Sequence, residues 1–390
     1  MNQLLLDAKN LFDYTQEKRR DFHRHPELGF QEARTSKIVA EELGSLGLEV
    51  STGIAETGVT AMIKGSQPGP VVLLRFDMDA LPIQEENEAP YASIKPGVMH
   101  ACGHDGHTAI GLTIAKILIA HRAELNGDVK LVFQPAEEGL GGAERMVQEG
   151  ILENPSVDYA LALHLWNDQP VGWIGVTTGP VMAASETFVI KITGKGGHGA
   201  APHLTIDPIL TAAHITSALQ GIISRNVNPQ ETAVLSVTMI HGGDTFNVIP
   251  SRVELQGTIR TFSPKIRKTV LERFQKIVRH TAEAFGCNAD IDLQSITPAV
   301  INDPKVCQKV KNLVKQVIHD ADLNTTDHTM GSEDMAFILE RVPGCFVFIG
   351  SANSKKGLDY SHHHPRFDFD EQAMVYGTAL LAAAALEILQ

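Results

Sequence analysis

Apolar residues recur along this chain with two alternating periods. Between residues 31 and 46, Ala33, Ile38, Val39, Leu43 and Leu46 fall on one helical face, and Gly44 and Gly47 close the segment. Strand-like runs follow at 58–64 and 71–76. The pattern then predicts a helix over 106–121, a strand over 129–133, a helix over 141–149 and a strand over 158–163. Strands separated by helices predict an α/β domain, a mainly parallel sheet sandwiched by helices.

The middle of the chain changes character. A strand over 185–193, a helix over 207–224, strands over 232–240 and 252–261, a helix over 264–285 and a strand over 288–293 give the order β-α-β-β-α-β. That is the ferredoxin-like split unit, a complete small α+β domain. The first pattern then resumes, with a helix over 305–319, a strand over 345–349 and a helix from Gln372. The expected organisation is a catalytic domain in two pieces, 1–180 and 296–390, interrupted by an inserted domain at 181–295.

Composition narrows the function classes. The 390 residues carry 33 Lys and Arg against 46 Asp and Glu, a formal charge of -13, which disfavours binding to a nucleic-acid backbone. The apolar run 379–386 is far shorter than the roughly 20 residues that span a bilayer, and the N-terminus has no basic flank of a secretory signal. Four cysteines with no CxxC pair make no disulfide framework, so a cytoplasmic protein without membrane partners is expected. The 17 histidines change the picture, because they cluster as His100/His104/His107 and His362/His363/His364.

Polar residues also follow the strands. VVLL leads into Arg75-Phe76-Asp77-Met78-Asp79, VKLVF into Gln134-Pro135-Ala136-Glu137-Glu138, YALAL into His164, and FVFIG through a loop into His362-His363-His364. Ligands bind open parallel sheets beyond the carboxyl ends of the strands. A lone cysteine is ordinarily a small buried hydrophobe, and a Glu-Glu pair is ordinarily a solvated turn. Their convergence on one edge points instead to a site. Mixed thiolate, imidazole and carboxylate ligands suit Zn, Mn, Co or Ni better than Ca or Mg. Gly103 lets Cys102 and His104 turn toward one point.

The runs RFDMDALPIQE, MHACGHDGHTA, FQPAEEGLGGA, GGHGAAPH, NVIPS, GTIRTF, GSEDMAF and SHHHP span nearly the whole chain. Together they resemble the hippurate hydrolase-like and indole-acetyl-amino-acid hydrolase-like amidohydrolases, within the aminoacylase/glutamate-carboxypeptidase metallopeptidases. The resemblance implies two divalent metal ions held by Cys102, His104, Glu138, His164 and His362, with Glu137 as general base. Asp77 matches the aspartate of the wider group's His-x-Asp element, but Arg75 stands where that element has its histidine. Asp77 is therefore expected to orient a ligand. The inserted domain resembles a lid that also forms a homodimer, in which His198 reaches the partner subunit's site and stabilises the oxyanion.

The expected reaction is hydrolysis of an N-acyl amino acid to a carboxylic acid and a free amino acid. Asn247 and Arg260 are candidates to bind the substrate carboxylate, Arg260 by a paired charge-assisted bond. A dipeptidase, aminopeptidase or carboxypeptidase on the same scaffold is the alternative. A catalytically silent metal binder needs ligands but no base, so Glu137 beside Glu138 argues against it. No GxSxG elbow supports a serine hydrolase.

Overall fold

The computed structural model describes residues 2–390. They form two compact units: the chain up to Val181 with Ile301–His328 and Asp334–Gln390, and Met182–Val300 with Thr329–Glu333.

The larger unit begins with helices α1 (Asn2–Asn10), α2 (Phe12–Arg24) and α3 (Ala33–Ser45) and strands β1 (Glu49–Ile54), β2 (Gly58–Ile63) and β3 (Gln67–Asp77). Helix α4 (His104–Ala120), strand β4 (Asn126–Gln134), helix α5 (Gly142–Gln148) and strands β5 (Tyr159–Pro170) and β6 (Trp173–Gly175) follow. Its eight-stranded sheet has the order β1, β2, β4, β3, β5, Gly344–Ala352, β6, Asp322–Asn324. The centre is parallel: Phe76 lies opposite Phe133, Leu74 opposite Leu161, and Val347 opposite Leu163. Antiparallel pairs flank it, joining β1 to β2, β2 to β4, and β6 to Gly344–Ala352. The central strands read as continuous apolar runs because helices cover both faces.

Two helices illustrate that packing. Helix Gln372–Ile388 is buried almost all round, and its run Ala379–Leu386 is core. No helix among the described residues is long and apolar enough to cross a membrane. In α4, Gly111 permits close approach to the sheet, since a Cβ there would sit 2.6 Å from the Phe76 ring.

Apolar periodicity does not reveal α2, because its buried face is Thr15, Arg19, Phe22 and His23. Arg19 is fully buried and pairs with Asp105 (2.7 Å), Asp368 (2.6 Å) and Glu371 (3.3 Å). Its guanidinium also lies 4.3 Å from the centre of the Phe369 ring. Burial raises the pKa of Asp105, but Arg19 and His23 outweigh it and hold the carboxyl below its usual range. This network anchors α2 to the first turn of α4.

In the smaller unit the antiparallel sheet has the order Ala233–His241, Arg252–Thr261, Ala184–Thr193, Asn288–Thr297. Phe188, Ile190, Leu255 and Ile259 pack against Ile215, Leu219, Val270 and Phe274 of helices Pro208–Asn226 and Pro264–Ala284. The β-α-β-β-α-β order is the expected one.

Arg19→Ala should destabilise the folded chain by about 3–5 kcal/mol, because it strands buried carboxylates without their cation. Denaturant unfolding measures this. A loss below about 1 kcal/mol, the scale of an exposed ion pair, would contradict the role given to the network.

Candidate metal centre

Three parallel strands and the start of α4 deliver the polar residues. Strand β3 ends at Asp77 and β4 at Gln134, and the chain enters α4 through Gly103, whose φ is +93°. That left-handed turn separates Cys102 from His104, the first residue of the helix. His164 lies within β5, which runs on to Pro170 rather than ending at residue 163 as the sequence suggests. The ligand atoms of Cys102, His104 and His164 lie within 4.8 Å of one another, with Cys102 Sγ 3.5 Å from His164 Nε2.

Hydrogen bonds settle which ring nitrogens are available. His104 Nδ1 faces the Asp79 carbonyl (3.0 Å) and Asp79 Oδ1 (3.2 Å), both acceptors, so it carries the proton. Its Nε2 is buried without a hydrogen-bond partner and carries the lone pair when the ring is neutral. His164 Nδ1 likewise donates to the Leu165 carbonyl at 2.8 Å, which frees Nε2. Burial, followed by His107 and His362, holds His164 well below the usual histidine range. For His104 burial acts the same way, but Asp77, Cys102 and Asp79 outweigh it and favour positive charge. Burial and Glu138 push the Cys102 thiol up.

Glu137 and Glu138 complete this side. Together with His104 they form a second group within 4.8 Å. Ala136 is held at φ +55°, and its N–H donates to Glu32 Oε1 at 2.9 Å. The Glu138 N–H donates to Asp79 Oδ2 at 3.0 Å, and Glu137 Oε1 accepts the Asp334 N–H at 3.3 Å. Glu138 Oε1 is buried, lacks a hydrogen-bond partner and lies 3.4 Å from His363 Nε2.

The histidine run differs from expectation. His363, not His362, groups with Cys102 and Glu138. His363 has φ +66°, so the chain turns there and adjacent imidazoles face different neighbours. His362 Nε2 donates to the Leu165 carbonyl at 2.9 Å, and its ring centre lies 5.1 Å from that of His164 and 5.0 Å from that of Trp166. Asp77 is also engaged: Oδ2 accepts from Arg75 Nη1 and Oδ1 faces His107 Nδ1, each at 2.6 Å. Arg75 also bonds Gln134 and Asp334.

In the smaller unit, Gly197–His198 pair antiparallel with Val248–Ile249, and Asn247 lies in the turn before that strand, its carbonyl accepting the Gly199 N–H at 2.8 Å. The His198 and Asn247 side chains are exposed. His198 Nδ1 accepts the Ala200 N–H at 3.0 Å. Arg260 is half-buried near Glu186, which also pairs with Arg267. Its Nη1 has no hydrogen-bond partner, and burial lowers its pKa.

The residues missed from the sequence are Asp79, Glu32, His107 and His363. Asp79 and His107 stand inside the quoted runs, but only tertiary hydrogen bonds distinguish them from their neighbours.

A mixed thiolate, imidazole and carboxylate cluster at the strand ends of an α/β sheet defines a metal-site hydrolase class. The chain matches Peptidase family M20/M25/M40 over residues 73–387, and it belongs to that family. It is 40% identical over 373 residues to the N-acetyl-L-cysteine deacetylase of Bacillus subtilis, covering 95% of this chain and 87% of that one. It is 37% identical over 391 residues to thermostable carboxypeptidase 2 of Saccharolobus solfataricus, covering 99% and 98%. Among solved structures, the Bacillus subtilis YxeP protein, a dinuclear metal binding peptidase from the M20 family, matches with a TM-score of 0.86 and 36% identity. That match covers 98% of this chain and 99% of that one.

Glu32 gives this site a titratable support. It also accepts a 2.5 Å bond from the Thr57 hydroxyl, and burial pushes its pKa from 4.5 up to about 7. The folded chain therefore binds more protons than the unfolded one between those values. The associated stability is full below about pH 4.5 and is lost as pH rises through about 7. With chelator present, Glu32→Gln should remove this decline, on the order of 3 kcal/mol. Urea unfolding across the window measures it. Parallel stability curves for the two proteins would contradict the assignment.

Proposed function

We propose that this chain is an amidohydrolase that releases a free amino acid from an N-acyl amino acid, using two divalent cations. Cys102, His104, Glu138, His164 and His363 would hold them, with Zn, Mn, Co or Ni suited to that donor set. One observation carries the reading. Cys102, His104 and His164 form one buried ligand group, Cys102 joins Glu138 and His363 in a second, His104 joins Glu137 and Glu138 in a third, and His104 Nε2 within them has no hydrogen-bond partner. His363 replaces His362 in this proposal because His362 Nε2 is spent on a backbone carbonyl.

Bound cations would lower the pKa of a water and polarise the scissile carbonyl. Glu137, held by the Asp334 N–H, takes the proton of the attacking water and returns it to the leaving amine. Arg260 and Asn247 bind the substrate carboxylate. His198 serves the partner subunit's site of a homodimer by donating to the developing oxyanion. Exposed Leu204, Met239, Ile240 and Phe246 on the smaller unit support self-association. The four free, buried cysteines are compatible with a cytoplasmic setting.

The relative named as a carboxypeptidase favours a second reading, cleavage of peptides at the C-terminus. Both substrate types release an amino acid with a free carboxylate. Hydrolysis of N-acetyl and N-benzoyl amino acids should exceed that of unblocked dipeptides, and the reverse order would select the peptidase.

Chelation should abolish turnover, and added Zn, Mn, Co or Ni should restore it. Full activity in protein free of metal by elemental analysis would overturn the reading. Glu137→Gln should lower kcat by roughly 10²-fold or more with metal content retained. Glu138→Gln and His363→Ala should reduce bound metal, whereas His362→Ala should keep most of it. Equal metal content in all four variants would refute the ligand assignment.

A further inference from the structure

His107 stands in the first turn of α4 beside the proposed centre, yet the hydrolytic reading gives it no task. Both of its ring nitrogens are engaged. Nδ1 lies 2.6 Å from Asp77 Oδ1, and Nε2 accepts the Leu165 N–H at 2.9 Å. A nitrogen that accepts a backbone N–H holds no proton, so the proton resides on Nδ1 and points at Asp77. His107 therefore has no lone pair left for a cation, although Asp77, His104 and His107 lie close enough to form a ligand group.

The backbone of Leu165 is where this arrangement meets the centre. Its N–H is taken by His107, and its carbonyl accepts from both His164 Nδ1 (2.8 Å) and His362 Nε2 (2.9 Å). That carbonyl fixes the His164 proton on Nδ1 and aims Nε2 toward Cys102 Sγ, 3.5 Å away. The ring of His107 also meets that of His164 edge to face, with centres 4.8 Å apart. Behind it, Asp77 is fixed by Arg75, whose guanidinium also holds Gln134 and Asp334. Arg75, Asp77, Gln134, Asp334 and His107 are all buried.

We propose that His107 is a positioning residue of the metal centre, acting through the Leu165 backbone to set the tautomer and aim of His164. The inference rests on the reading of His164 as a ligand. An imidazole held in one tautomer binds a cation without first breaking a competing arrangement, and partners of this kind typically alter metal affinity by 10–100-fold.

Three substitutions separate positioning from packing. In His107→Gln the amide oxygen can reach the place of Nε2 and accept from Leu165. His107→Asn keeps a donor toward Asp77 but falls short of Leu165, and His107→Leu keeps neither. Cobalt(II) affinity of the full chain, by competition with a chelator, is read together with the visible spectrum of the cobalt form. His107→Asn and His107→Leu should bind cobalt roughly 10–100-fold more weakly with an altered spectrum. His107→Gln should stay within about 3-fold of the wild type, a small part of that range. If His107→Leu fails to fold, the contrast between Asn and Gln still decides. Wild-type affinity and spectrum in His107→Asn, or equal losses in Asn and Gln, would overturn the inference alone. A wild-type chain that binds no cobalt, or whose cobalt spectrum is unchanged by Cys102→Ser, would overturn the metal reading and this inference with it.

Discussion

The carboxylate of Asp79 ties together the two segments on which the centre is built. One of its oxygens faces His104 Nδ1 at 3.2 Å, and the other accepts the Glu138 N–H at 3.0 Å. Its own carbonyl takes the same imidazole at 3.0 Å. Asp79 is buried, so these bonds are not exchanged for water and hold their geometry. The next residue, Ala80, donates its N–H to the Glu27 carbonyl at 2.8 Å, which joins the end of β3 to the loop after α2. A single side chain thus fixes the tautomer of one proposed ligand and the backbone of another.

Charge explains why the cluster suits cations. Asp77, Asp79, Glu137 and Glu138 gather at the strand ends, and Arg75 pairs with Asp77 among them. Asp79 Oδ1 and Asp77 Oδ2 lie 3.2 and 3.7 Å from the two ring nitrogens of His104, so positive charge is favoured there. Behind α4 the balance is different. Arg19 is matched by Asp105, Asp368 and Glu371, a set closed upon itself that anchors the helix. Structural charges and the proposed functional ones are therefore separated by the first turn of α4, with His104 facing one set and Asp105 the other.

Much of this was legible in the sequence because burial on both faces writes a strand as a continuous apolar run. VVLLRF, VKLVF and YALAL mark β3, β4 and β5, and the polar residues after or within them mark the edge where a site forms. Helix α2 escaped because its inward face carries Arg19 and His23 instead of hydrophobes. Strand β1 escaped because it is an exposed edge. In the histidine run, three identical side chains differ only in the backbone that carries them, and the left-handed φ of His363 has no signature in the residue itself. Asp77 and Asp79 present the same difficulty: one serves Arg75 and His107, the other His104 and Glu138, and only the fold sorts them.

Anomalous diffraction from crystals of the manganese- or zinc-loaded protein tests the central claim most directly. The account predicts two anomalous peaks, with Cys102 Sγ, His104 Nε2, Glu138, His164 Nε2 and His363 within coordination distance and His107 and His362 outside it. No peak beside Cys102, or a peak ligated by Asp77 and His107, would contradict it.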